Sequence, residues 1–189
     1  QVGWTELAEE DLIRDVAGRL REAVPELQRR RQAAALMVTA SAAVELTSTD
    51  LEAEVSRLTE ELGVPVVLLP GVATSADLYA GYGAVVRALV QQVDWSQPPA
   101  GSPEVSLVGY LFHRYEHEQA ANLAEVRRLV EGLGARLGPT FLAGESLQTL
   151  QGAHRSRLLL RLPYAGLGAD ELGGVTSRRV VSPGLPLGM

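Results

Sequence analysis

Residues 33–69 read AAALMVTASAAVELTSTDLEAEVSRLTEELGVPVVLL, and this stretch decides the fold. Ala33–Ala40 (AAALMVTA) is a short apolar run, as expected of a strand buried on both faces. Asp50 supplies an N-cap, and Glu52 and Glu54 place negative charge in the first turn of a helix. Leu51, Val55, Leu58 and Leu62 recur on one stripe of that helix, and Gly63 stops it. Val64–Leu69 (VPVVLL) is a second buried run. Strand, helix and strand in this order form a parallel unit with a crossover helix.

Working outward, Leu12, Val16, Leu20, Val24 and Leu27 mark a helix from about residue 8 to 31. Pro25 is expected to kink it or end it early. Arg29, Arg30 and Arg31 read as an anion site or, more plainly, as a last helical turn whose cations complement the macrodipole. After a loop at Pro70–Thr74, Leu78, Tyr82, Val85, Leu89 and Val93 mark a further helix. Asp94–Glu104 (DWSQPPAGSPE) holds three Pro, two Ser and a Gly, which is linker composition. The pattern then restarts: a strand at Val105–Leu111, a helix through Leu123, Val126, Val130 and Leu133, and a strand at Leu137–Leu142. A short helix at Ser146–Gln151 and strands at Arg157–Leu162 and Arg179–Val181 follow.

The fold class is therefore α/β, with two Rossmann-like subdomains whose parallel sheets are flanked by helices. The expected organisation is a first subdomain over 1–94, a linker over 95–104 and a second subdomain over 105–189. Ligands of such sheets sit beyond the carboxyl ends of the strands. The loops that matter are then Ser41–Thr49, Pro70–Ser75, Phe112–Glu118, Ala143–Ser146 and Pro163–Ala169.

Composition narrows the chemistry. The 189 residues carry 23 acids against 17 bases, a net charge of −6, and all the bases are Arg. An acidic chain without a long basic run is a poor nucleic-acid binder. No apolar stretch reaches the length that spans a bilayer, so no membrane association is expected. The chain begins at Gln1, which suggests processing, a fragment or a start further upstream, and no secretory leader opens it. A cytoplasmic location is expected. With no Cys, this chain forms no disulfide and supplies no thiolate to zinc or to an iron–sulfur cluster. With no Lys it has no Walker A motif and no Schiff base.

His113-Arg-Tyr-Glu116-His117 matches H-x-x-E-H, a zinc-protease pattern, but a motif following a strand belongs to a loop or a first helical turn. The reading kept is that His113, Arg114, Tyr115 and His117 contact a ligand at the edge of the second sheet. Gly166-Leu-Gly168 follows a strand as a dinucleotide fingerprint does, yet Glu171 stands where the third glycine belongs. Gly132-Leu-Gly134 is better read as a helix cap. No G-x-S-x-G elbow exists, and Gly144-Glu-Ser146 lacks its flanks. Glu45 and Asp50 form either an acid pair or, more plainly, a solvated carboxylate beside an N-cap. Ser41, Glu45 and Ser75 complete the candidate ligand contacts, facing the histidine segment across the cleft expected between the subdomains.

Two segments resemble the nitrogenase component 1 superfamily, which includes the molybdenum–iron subunits, their cofactor-assembly relatives and the dark-operative protochlorophyllide and chlorophyllide reductases. Residues 38–52 (VTASAAVELTSTDLE) are similar to that family's strand, its T-C-x-x-E segment and the helix after it. Residues 63–67 (GVPVV) and 79–82 (YAGY) fit its next strand and helix start. Residues 105–110 (VSLVGY) and 122–134 (NLAEVRRLVEGLG) resemble the opening strand and helix of its following domain, and AGES at 143–146, LPY at 162–164 and PLG at 186–188 continue in order. The resemblance implies redox work on a buried substrate or cofactor, tetrapyrrole reduction slightly ahead of nitrogen reduction. It implies a homologous subunit in a homo- or heterodimer, and electrons from an ATP-dependent iron–sulfur reductase. It also places the family's cluster-ligating Cys at Ala42 and a cofactor-ligating Cys near Pro163, and neither residue ligates iron. No cofactor is expected on this chain alone, and an iron–sulfur cluster only through a partner chain. The alternative is a non-catalytic ligand-binding or scaffold protein derived from the same fold.

Overall fold

The computed structural model describes residues 3, 5–47, 49–69, 71, 77–95, 104–110, 117–162 and 168–183. Packing divides the chain into two units, Gln1–Ala76 and Asp77–Met189.

In the first unit the break in the leading helical segment falls at Asp15, not at Pro25. The Asp15 carboxylate accepts the Gly18 N–H at 2.9 Å, so α1 (Glu9–Arg14) ends before it and α2 (Val16–Arg31) begins after it. Pro25 lies inside α2 and leaves the Arg21 carbonyl without its helical donor. Burial of Leu20 and Val24 beside it holds the helix together. The strand β1 (Leu36–Thr39) is followed by a one-turn helix, α3 (Ala42–Glu45), then α4 (Leu51–Leu62) and β2 (Val66–Leu69). Asp50 caps α4 by accepting the Ala53 N–H at 2.9 Å, and Gly63 closes it in the left-handed region (φ 65°). β1 and β2 pair in parallel from Leu36↔Val66 to Thr39↔Leu69. Leu36, Val38 and Val66 share one face and meet Leu20 and Val24 of α2 and Val55 and Leu58 of α4. Between the two helices, Glu54 (7% exposed) is clasped by Arg57 at 2.6 Å and Arg21 at 3.1 Å. Burial pushes its carboxyl up, but the two guanidinium groups outweigh burial and hold it below the usual range.

The second unit opens with α5 (Leu78–Gln92), capped by Asp77, and continues with β3 (Glu104–Val108), α6 (Gln119–Gly132) and β4 (Arg136–Thr140). Then come α7 (Leu147–Gln151), a 3-10 turn (Gly152–Arg155), β5 (Leu158–Arg161), α8 (Ala169–Thr176) and β6 (Arg179–Val181). The sheet order is β4-β3-β5-β6, every pair parallel. Between β3 and β4 the register slips: Val105 faces Leu137, whereas Leu107 faces Thr140. Pro139 lies in the slip and has no N–H to give the ladder, which accounts for the extra residue on β4. Ser106 and Ser156, both essentially buried, pair hydroxyl to hydroxyl at 2.7 Å and satisfy each other inside the core. Trp95, within the stretch expected as a linker, is buried. Its indole N–H donates to the Leu89 carbonyl at 3.1 Å, and its ring stacks on Phe141 with centroids 6.1 Å apart. Glu104 opens β3, and residues 96–103 lie outside the described residues.

The helix α8 escapes a periodicity reading because Gly173 and Gly174 lower its intrinsic propensity. A Cβ at Gly173 would stand 2.6 Å from Val180 Cγ2 and 3.0 Å from the Arg178 carbonyl, so close packing of the helix on β6 requires the glycine. No helix among the described residues is long and apolar enough to cross a membrane.

Two outcomes are expected. Leu58→Ala, which empties a fully buried position, lowers unfolding free energy by about 2–5 kcal/mol in a urea titration. Glu54 has a depressed carboxyl in the folded state, so its contribution is present at neutral pH and lost as pH falls through the carboxylate range. Glu54→Gln therefore lowers the urea midpoint at pH 7 and flattens the acid limb of a midpoint-against-pH curve.

Candidate functional site

In parallel sheets the carboxyl ends of all strands lie on one edge, and the loops leaving that edge hold ligands. In the first unit this edge carries Ser41, Ala42 and Glu45. Ser41 caps α3, its Oγ accepting the Val44 N–H at 3.4 Å. Ala42 is the first residue of α3 and is exposed, as are Ser41 and Glu45. The Glu45 carboxylate reaches across to Gly71, just past β2, where a built Cβ would stand 1.7 Å from Oε1. The two loops leaving β1 and β2 thus meet through a carboxylate lying on a bare backbone, and any side chain at 71 displaces it. Asp50 caps α4 through one carboxylate oxygen, the plainer of the two readings of this residue. Ser75 lies outside the described residues.

In the second unit the chain steps from β3 to β4 on one side and returns to β5 on the other, so the strand order reverses at β3 and β5. That is the switch point at which open α/β sheets hold ligands. His113, Arg114 and Tyr115 lie outside the described residues; His117 is exposed in the turn before α6.

The described ends of this edge are held by Tyr82 of α5. Its hydroxyl accepts the Gly109 N–H at 2.7 Å and donates to the Phe141 carbonyl at 3.0 Å, joining the residues that follow β3 and β4. Burial raises the Tyr82 phenol well above its ordinary range, against the smaller opposing effect of the Gly109 N–H, so it stays a neutral donor. Gly109 is left-handed (φ 99°), which a side chain resists. Beyond Phe141, Leu142 also takes a positive φ of 58°, and Gly144 one of 94°. This tight loop returns Glu145 Oε1 to the Thr140 N–H at 3.0 Å, closing an outward-facing donor of the edge strand β4. Burial pushes the Glu145 carboxyl up, opposed by the Thr140 N–H and the Arg127 charge.

Of the glycine pair after β5, Gly166 lies outside the described residues, and Gly168 has a use other than a phosphate cradle. A Cβ at Gly168 (φ 90°) would stand 2.7 Å from Val86 Cγ1 and 3.0 Å from the Arg87 nitrogen, so this glycine lets α8 start directly against α5. The Gly168 N–H donates to Glu171 Oε2 at 3.0 Å, and Glu171 Oε1 pairs with Arg87 at 3.1 Å. A carboxylate of the helix itself serves the end where a phosphate would bind. At the end of β5, Arg161 is tied to Asp170 at 2.8 Å and to Ser182 at 2.9 Å.

Among the described residues no three His, Cys, Asp or Glu side chains are grouped as a metal would need. Of the H-x-x-E-H segment, only His117 is described. The chain holds no Cys, and the exposed Ala42 has no lone pair to offer iron, so the residues present do not fit as ligands of an iron–sulfur cluster. Sequence reasoning left Gly71 and the Tyr82 hydroxyl without a role and weighed Gly168 only within a dinucleotide fingerprint. The available signal was a tyrosine on an apolar helix stripe, whose hydroxyl needs a partner once buried.

A family profile described as "Nitrogenase component 1 type Oxidoreductase" matches residues 1–188. The nitrogenase iron-molybdenum cofactor biosynthesis protein NifE of Nostoc sp. (strain PCC 7120) is 27% identical over 157 residues, covering 82% of this chain and 31% of that protein. A solved structure titled "Nitrogenase Cp1 at pH 5" superposes with a TM-score of 0.73 at 18% identity, over 94% of this chain and 36% of the other. The structure at pH 6.5 gives 0.71 at 18% identity, over 95% and 34%. The chain spans about a third of the length of these relatives, and at this identity the structural likeness establishes the fold.

Tyr82→Phe leaves the Gly109 N–H and the Phe141 carbonyl without their buried partner. A loss of about 1–3 kcal/mol in chemical denaturation is expected, with faster amide exchange at Gly109 than at Leu107.

Proposed function

Because the chain belongs to the nitrogenase component 1 type oxidoreductase family, we propose that it serves as a subunit or segment of a component 1-like assembly, contributing pocket walls without iron–sulfur ligands of its own. The observation that carries this reading is Ala42. It is exposed at the carboxyl edge of the first sheet, at the position where the resemblance places the family's ligating Cys. A thiolate there would face outward from the first turn of α3; the alanine keeps the backbone and removes the donor.

In this reading the chain positions a ligand rather than passing electrons to it. Glu45 and Ser41 line one carboxyl edge. On the other, Tyr82 fixes the backbone where the β3 and β4 loops depart, and His117 borders the segment that carries His113, Arg114 and Tyr115. A homologous, Cys-bearing partner subunit would supply every cluster ligand, and an ATP-dependent iron–sulfur reductase the electrons. The likeness to a cofactor-biosynthesis protein favours a metal-cofactor precursor as the ligand, held by a scaffold in the cytoplasm. Tetrapyrrole reduction is the second reading, favoured by Pro163 standing where a cofactor-ligating Cys falls in some members.

The test is anaerobic purification of the chain from its native host, with light scattering, intact mass and a visible spectrum. A coloured complex with a Cys-bearing homologous subunit is expected. A colourless chain, alone or paired only with itself, overturns the proposal.

A further inference from the structure

Nine described arginines, among them Arg21, Arg57, Arg87 and Arg161, sit in ion pairs with carboxylates. Six have no ion pair among the described residues, and four of the six are Arg155, Arg157, Arg178 and Arg179. These four come from two chain segments that the fold brings together. Arg155 and Arg157 precede β5, and Arg178 and Arg179 open β6. The parallel register sets Arg179 opposite Leu158. Arg178 donates twice to the His154 carbonyl, at 2.9 and 3.2 Å, and the Arg157 N–H donates to the Glu104 carbonyl at 2.8 Å. All four therefore stand at the amino edge of the second unit's sheet, opposite the edge that carries the candidate ligand loops. The nearby Glu104 carboxylate is paired with Arg136 at 3.1 Å.

This clustering is not a consequence of overall charge. The second unit holds ten arginines and ten carboxylates, and the first holds seven against thirteen. The C-terminal dipole of α8 accounts for a cation at Arg178 and leaves Arg155, Arg157 and Arg179, all exposed, without an ion pair among the described residues.

From this placement we infer that the amino edge of the β4-β3-β5-β6 sheet is a docking surface for an acidic polypeptide. Apolar residues adjoin the arginines in chain and register: Val175, near the end of α8, is 49% exposed, and Leu158, opposite Arg179, is half-buried. Arginine beside apolar surface is the composition of protein interfaces. A nucleic-acid backbone would engage the charges alone and leave the exposed Val175 uncovered. The surface is independent of the redox reading, since it needs neither the candidate ligand loops nor a cluster.

The test uses the full chain and a fluorescently labelled oligo-glutamate peptide, followed by anisotropy at low ionic strength. The variant is Arg155→Gln, Arg157→Gln and Arg179→Gln together; Arg178 is kept because it bonds the backbone. Expected are saturable binding that weakens with added salt, a loss of about tenfold in affinity in the triple variant, and less than about twofold in an Arg29→Gln, Arg30→Gln, Arg31→Gln control. Circular dichroism checks that each variant keeps its fold. Absence of saturable binding, or equal binding by the triple variant, overturns the inference. Tighter binding of an oligothymidylate of equal charge overturns it in favour of nucleic acid, and competition by inorganic phosphate at the peptide's own concentration overturns it in favour of a small-anion site.

Discussion

The hydroxyl of Tyr82 joins the residues that follow two strands, β3 and β4. It takes the Gly109 N–H and gives its own proton to the Phe141 carbonyl, and both sites are closed to water. A buried donor or acceptor costs more when left alone than it contributes when paired, so the geometry around Tyr82 tolerates little movement. Gly109 accordingly sits in a left-handed conformation, and the backbone past Phe141 turns through Leu142 and Gly144 to bring Glu145 back onto β4. The take-off points of the loops after β3 and β4 are thereby set by a helix that precedes both in the chain. A site built on those loops starts from fixed ends.

The first unit solves a similar problem with charge. Glu54 would be costly between α2 and α4 if it were alone, and Arg21 and Arg57 make it the join between the helices. With that join in place, α2 and α4 cover the same face of β1 and β2, and the short α3 is left at the carboxyl edge. There the chain presents Ala42 and a carboxylate resting on Gly71. That arrangement supplies no thiolate, while the chain that presents it belongs to a family named for oxidoreduction.

Charge is also divided between the units. The acidic surplus belongs to the first, and the second is neutral in sum but uneven in distribution. Arg87, Arg128, Arg136 and Arg161 are matched by carboxylates in their immediate surroundings. Residues at the start of β5 and β6 are not, because β-pairing rather than sequence proximity collects them.

How much was legible in the sequence follows from the range of the forces involved. The β1, α4 and β2 series could be read directly, since burial pattern, the Asp50 cap and the Gly63 stop all act within a few residues. The alternation of strand and helix, and so the α/β class and the carboxyl-edge loops, came from the same local signals. What the sequence did not reveal rests on contacts between distant segments. The helix break at Asp15 rather than Pro25 depends on burial of Leu20 and Val24 against another helix and a strand. The helix α8 forms despite Gly173-Gly174 because β6 presses on it, and α5 groups with the second unit because α8 starts directly against it at Gly168. Ser41 and Glu45 could be named from their loop, but that Glu45 lies on Gly71 could not. By itself the sequence determined the order of the six strands and of the helices α4 to α7, and the donors it lacks, Cys and Lys among them, because those are properties of local pattern and inventory. Only the tertiary structure decided which polar groups satisfy one another, as in Tyr82 with Gly109 and Phe141, because such pairing joins residues that the sequence keeps 27 and 59 positions apart.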